Sequence, residues 1–500
     1  MFEGLLVGLS TAFSATNLLM VVVGVLIGTV IGMLPGLGPM TIIAIMIPVA
    51  IKLGDPSAAL IMLAGVYYGA IFGGSTSSIL INAPGVAGTV ATSFDGYPLA
   101  RKGQAGKALT VAAIASFAGG TIGAVLLFVF APSLSRVALL FHSPDYFALM
   151  VCGLTAVAAF AGRGQVLKAL LMTVLGLMLA TIGESALHNA PRFTLGIMDL
   201  QSGIYFVTLV MGLFALPEAL YLVFDPGRGK PLEDSDNRIT NLRISCAEAR
   251  QITPVICRQS IVGFLIGVMP GAGATIASFM GYAMERNLAP KKDRDEFGKG
   301  SIKGLAAPEC ANNAACTGSF VPLLTLGIPG SGTTAILLGA LIALNVSPGP
   351  RLMLERPEIF WAVIISMYIG NIILLILNLP LIPYIARLLA VPKNYLVPFV
   401  LFFALIGAYI GQNNATELLI MVGLGVMAAI LRFAQYPLPP LIIGFILGGM
   451  LEDNLGRAMR KANGIDFLWD RPLTIGLLML ALMFLVIPLV NDWRSRRVRD

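Results

Sequence analysis

The run PECANNAACTGS (308–319) sets an acid, two amides and a hydroxyl at helical spacing within an apolar stretch. Separations of three to four residues bring Glu309, Asn312 or Asn313, and Thr317 toward one helical face. Such a face can hold Na⁺ through its oxygens or carry a proton on the acid. An ionisable residue at membrane depth is costly enough to be functional by default. A second placement stays open, with Glu309 at the cytoplasmic end of its helix and paired with Lys303 or Arg286. The amides of Asn312 and Asn313 need partners in either case, because a buried polar group without one is destabilising.

Two more polar clusters border Pro-Gly pairs. GGSTSSILINAPG (73–85) supplies Ser75, Thr76, Ser77, Ser78 and Asn82 just before Pro84 and Gly85. Hydroxyls and amides can bind a carboxylate or a cation without adding charge to a membrane. Four consecutive hydroxyls cannot share one helical face, so two of the four are expected to act and the rest to bond their own helix. LGIPGSGTTAILL (326–338) places Ser331, Thr333 and Thr334 after Pro329 and Gly330, where a hydroxyl also serves as a helix N-cap.

These clusters need elements to position them, and composition names the medium. The 500 residues are 57% hydrophobic and 12% charged, against about 25% charged in soluble domains. Runs such as LTIGLLMLALMFLVIPLV (473–490) reach the ~18 apolar residues of a spanning helix. Roughly ten to fourteen such segments are expected, several of them short or interrupted. The fold class is all-α, a polytopic membrane protein. In GMLPGLGP (32–39), Pro35, Gly36 and Gly38 break one span where lipid would leave the freed backbone groups unpaired.

The break recurs. GTVIGMLPGLG (28–38) aligns without a gap to GFLIGVMPGAG (263–273), so Pro270, Gly271 and Gly273 repeat the first break. ILINAPG (79–85) answers LTLGIPG (324–330), and Gly119, Pro132 and Arg136 match Gly370, Pro383 and Arg387. Paired interrupted segments at corresponding positions of two halves point to a transporter's central site. Half-helices starting after the breaks turn unpaired N–H groups and a partial positive charge toward the gap, which suits carboxylates. The 51–56 loop carries one Lys, while its counterpart at 285–304 is strongly basic, so the repeats are expected to be inverted, with re-entrant segments at the centre.

The chain divides into a first transmembrane half (1–224), a polar linker (225–257), a second half (258–490) and a basic tail (491–500). The positive-inside rule puts the 285–304 loop and the C-terminus in the cytoplasm, and the acidic N-terminus reads as a retained first segment. The net charge of +7 fits basic cytoplasmic loops and requires no nucleic acid. Five cysteines without ligand spacing and two histidines, His142 and His188, leave no structural metal site to expect. Without a Walker sequence or a nucleophile beside a base, neither an ATP-driven pump nor an enzyme is expected. Arg136 and Arg387 read as snorkelling to headgroups, and Glu218 as sitting at a membrane edge.

GMLPGLGP, YYGAIFGGSTSSILINAPG, GVMPGAGATIASFMGYAMER, PECANNAACTGSFVPLLTLGIPGSGTTAILLGAL and GLFALPEAL, in that register over nearly the whole chain, resemble the large membrane subunit of the tripartite tricarboxylate transporters. The resemblance implies a secondary transporter in a bacterial inner membrane, taking up citrate-like di- and tricarboxylates by symport with Na⁺ or H⁺ and needing no other cofactor. It further implies a small membrane subunit and a periplasmic solute-binding protein as partners. The alternative is a stand-alone ion-coupled anion carrier or channel without a binding protein.

Overall fold

Asp55 opens the most deeply buried helix. Its carboxylate accepts from the backbone N–H groups of Ser57 (3.0 Å) and Ala58 (3.4 Å), and Pro56 fits the first turn. The helix Pro56–Ile81 then runs 26 residues and is enclosed by protein along its spanning length. It ends on Asn82 in the left-handed region (φ 51°), which Asn tolerates better than bulkier residues. The computed structural model describes residues 2–34, 37–162, 164–185, 190–224, 242–387, 393–412, 414–462 and 464–497. Among these, seven helices are long and apolar enough to cross a membrane, and six shorter apolar helices accompany them. The sole extended pairing among the described residues joins Gly183–Glu184 to Pro191–Arg192. The protein is therefore a polytopic all-α membrane protein.

Glycines set how closely the helices pack. Ala15–Gly32 and Pro56–Ile81 meet through Gly24, Gly28 and Gly32 on one side and Gly65, Gly69 and Gly73 on the other. A Cβ on Gly28 would strike the Val66 carbonyl, and one on Gly69 the Val25 carbonyl. Small residues at this spacing let membrane helices approach backbone to backbone. Cys246–Val268 and Ile302–Gly318 repeat the arrangement, with Gly263 against Ala311 and Gly267 against Ala315. The residues aligned by the sequence repeat make equivalent contacts: Gly28 meets Val66 as Gly263 meets Ala311, and Gly85 meets Gly32 as Gly330 meets Gly267. Asn82 is matched by Gly327, which ends its own helix in the left-handed region (φ 70°).

The halves are interleaved. Ala105–Ala138, from the first half, packs on Ile302–Gly318, while its counterpart Pro357–Asn378 packs on Pro56–Ile81. The basic loop is fastened to the first half as well, because buried Asp95 accepts the N–H groups of Gly298 (2.9 Å), Gly300 (2.8 Å) and Ser301 (2.8 Å). Of the polar stretch 225–257, residues 225–241 lie outside the described residues. From Cys246 the chain is helical, capped reciprocally by Ser245 and Glu248. Residues 491–497 of the basic tail continue the helix Pro472–Arg497, whose spanning part turns most of its surface outward.

Candidate functional site

Three described segments that follow Pro-Gly breaks, together with Gly38 of the first, converge on a cavity of about 750 Å³. Gly38 caps the helix Pro39–Lys52 there, and Ala83 to Gly88 bring Pro84 and Gly85 to the wall. Gly271, Ala272 and Gly273 lead into Gly273–Leu288, and Ser331 and Thr333 stand at the head of Gly332–Ala343. Gly271 and Gly273 adopt φ of 82° and 60°, a region open to Gly at no steric cost. The Gly271 N–H donates to the Gly330 carbonyl at 3.0 Å, so the two breaks of the second half are tied together beside the cavity. Ser331 and Thr334 form a reciprocal cap: the Thr334 N–H donates to Ser331 Oγ (3.2 Å), and the Ser331 N–H to Thr334 Oγ1 (2.8 Å). Thr334 is spent on that cap, whereas Thr333 lines the cavity.

Helix starts place partial positive charge around the space. Among the described residues, its lining contains no acid and one charged side chain, Arg432. Arg432 comes from the end of Ala415–Phe433 and donates from Nη1 to Glu218 Oε2. Its Cζ lies 4.5 Å from the Tyr221 ring centroid. Glu218 is 1% exposed and belongs to this ion pair beside the cavity. Tyr67 adds a phenol to the lining and stacks with Tyr68 (6.1 Å) and Phe320 (6.3 Å).

Behind this wall lies a polar cluster. Glu309 is fully buried and accepts from Ser75 Oγ at 2.8 Å, from Ser116 Oγ at 2.6 Å and from Thr92 Oγ1. Three elements of the first half thus supply donors to one acid of the second. Lys303 pairs instead with Asp293 (3.1 Å), so its proposed pairing with Glu309 is not made. Asn312 Nδ2 donates to the Gly88 carbonyl (3.1 Å), connecting the cluster to a residue of the cavity wall. Asn313 Nδ2 donates to the Glu309 carbonyl (2.9 Å) and to Asn312 Oδ1 (2.8 Å), and Thr317 Oγ1 donates to the Asn313 carbonyl (3.2 Å).

The remaining sequence candidates divide by position. Ser77 and Ser78 bond the Gly74 carbonyl of their own helix, and Ser78 also reaches Thr89 (2.9 Å). Thr76 is buried on the same helix, while Asn82 is an exposed cap. Pro329 and Gly330 are buried beside the lining, and Pro270 is half-buried at the third break. Pro35, Gly36 and His188 lie outside the described residues. Sequence reading missed Arg432, Thr92, Ser116 and Tyr67. Arg432 carried a signal, since an arginine ends an apolar helix immediately before the proline-rich QYPLPP (435–440).

Residues 18–443 match the family model described as the tripartite tricarboxylate transporter TctA family. An uncharacterised 52.8 kDa protein of Agrobacterium vitis, from the TAR-I ttuC′ 3′ region, is 42% identical over 498 residues, which is 99% of this chain and 98% of that protein. An uncharacterised protein from the TAR-II ttuC′ 3′ region of the same organism is 42% identical over 236 residues, 47% of this chain and 97% of that protein. No solved structure gives a significant match.

Proposed function

The chain belongs to the tripartite tricarboxylate transporter TctA family, and we propose that it is the large membrane subunit of a binding-protein-dependent secondary transporter for organic di- and tricarboxylates. One observation carries this reading. Helix starts from both halves and one arginine face a single cavity whose volume falls within the ~300–1,000 Å³ usual for small-ligand sites. N–H groups at helix starts bind carboxylates, and citrate-like anions supply two or three of them.

In the proposed cycle a periplasmic solute-binding protein delivers the anion to the large subunit, which works with a small membrane subunit in a bacterial inner membrane. Carboxylates settle against the starts of Pro39–Lys52, Gly273–Leu288 and Gly332–Ala343 and the segment after Gly85. Na⁺ or H⁺ binds at Glu309, with Asn312, Asn313 and Thr317 shaping the site, and offsets the substrate's charge. Ion binding there is relayed to the cavity wall through Asn312 and Gly88. The two halves lie in opposite orientations in the membrane, the basic 285–304 loop and the C-terminus facing the cytoplasm.

The test is uptake of labelled citrate, with a succinate control, in cells lacking endogenous carriers. The chain is expressed with its small subunit and binding protein, with each component omitted in turn, and with and without a Na⁺ gradient. Uptake that needs all three supports the tripartite assembly, and its Na⁺ response identifies the ion. Uptake by this chain alone establishes the stand-alone carrier, and the absence of uptake across a wider carboxylate panel overturns the reading.

A further inference from the structure

We propose that Arg432 grips a carboxylate of the transported anion and that Glu218 is the internal carboxylate it is exchanged against. The inference rests on the cavity taking an organic polyanion. Arg432 is the charged side chain in a described lining otherwise made of backbone, apolar groups and hydroxyls. A guanidinium is a planar fork of five donors that fits a carboxylate two bonds at a time. Among the described residues, Glu218 is its one hydrogen-bond partner, reached through Nη1.

Position sets the two partners apart. The Arg432 side chain is 29% exposed and that of Glu218 1%, so the cation faces the cavity and the acid lies behind it. The Tyr221 ring supports the guanidinium and itself stacks on Phe433, ring centroids 4.4 Å apart. The guanidinium is thereby held between Ala415–Phe433 and Leu216–Phe224, the helix of Glu218 and Tyr221, while Arg432 also borders the cavity. A buried ion pair contributes little to stability once desolvation is counted, because the loss of water's solvation offsets the Coulomb gain. A pair whose cation borders a ligand cavity has a second use: an incoming carboxylate takes up the same charge. Glu218 then competes with the substrate, which keeps the grip reversible.

Four variants of the full chain, expressed with both partner subunits, test this: Glu218→Gln, Arg432→Gln, the double variant and Arg432→Lys. Half-saturating concentrations for labelled citrate are measured in cells. Thermal protection of the membrane-extracted chain is measured with citrate and with its neutral trimethyl ester. Glu218→Gln is expected to bind citrate more tightly than wild type. The double variant keeps the shape of the pair without its charges, so it unfolds at the wild-type temperature yet binds citrate about tenfold to a hundredfold more weakly. Arg432→Lys keeps the ion pair and loses the fork, and is expected to weaken citrate by about tenfold. Wild-type citrate affinity in the double variant, or in Arg432→Lys where the double variant does not reach the membrane, overturns the proposal and leaves the pair a purely structural one. If wild type itself neither transports nor binds any carboxylate, the polyanion reading has failed, and that outcome is distinguishable because it appears before any substitution.

Discussion

Glu309 is an acid in an apolar run, enclosed by three hydroxyl donors. Its cost in an apolar run flagged it, and full burial among Ser75, Thr92 and Ser116 gives it a setting no soluble surface would need. Glu309→Gln keeps the side chain's size but removes its charge and its titration. It is expected to reach the membrane and to lose the response of uptake to the ion gradient. Flux measured with the gradient present and collapsed checks this, and an unchanged response would remove Glu309 from coupling. Ser116→Ala deletes one donor to a buried acid, at a cost of about 1.5–3 kcal/mol to whichever state holds the acid ionised. A corresponding shift in half-saturating ion concentration is expected. The acid and the amides were legible because each violates the composition of its own segment. Ser116 and Thr92 were not, since lone hydroxyls in membrane helices usually bond their own backbone. Arg432 carried a signal at the end of its helix, but its pairing was hidden, as Glu218 lies 214 residues away and no local pattern joins them.

At the scale of elements, Pro and Gly are legible because lipid tolerates broken backbone in so few places. The packing glycines were aligned in the repeat, but their purpose emerges only in pairs, where each lets a neighbouring carbonyl approach. Gly28→Leu and Gly263→Leu occupy equivalent contacts, against Val66 and Ala311. Each is expected to destabilise the protein by about 1–3 kcal/mol through overpacking. Gly476→Leu, where an added Cβ meets nothing within 4 Å, is expected to be neutral. Thermal unfolding of the three in detergent checks the comparison, and equal stability would mean the helices can separate without cost. Gly330→Val is a sharper case: its Cβ would crowd the Gly267 carbonyl and Ser319, both at 2.9 Å, where two breaks meet. Uptake is expected to vanish while membrane insertion persists, which transport assays with a surface-expression control will show. Normal uptake in that variant would take the fourth break out of the site.

At the scale of the whole molecule, a second cavity, of about 530 Å³, shares two helices with the first. Gly332–Ala343 presents Thr333 to the first cavity and Gly339, Ile342 and Ala343 to the second. Pro439–Ala462 does the same with Pro440 and Ile443, then Ile446 and Gly449. Six residues separate Thr333 from Gly339, about 9 Å along a helix, so the cavities succeed one another along the same two elements. Phe206 stands in the wall of the second cavity, its ring lying so near Gly339 that a Cβ there would overlap it. If alternating access uses both cavities, each opens toward its own side of the membrane. Single-cysteine variants at Ala272 and Ala343, made after replacing the five native cysteines, test this with an impermeant thiol reagent. Each is expected to be labelled from one side only, and from opposite sides. Added substrate should change the two labelling rates in opposite directions. Labelling of both from the same side would make the second cavity a lateral pocket and place the exit elsewhere.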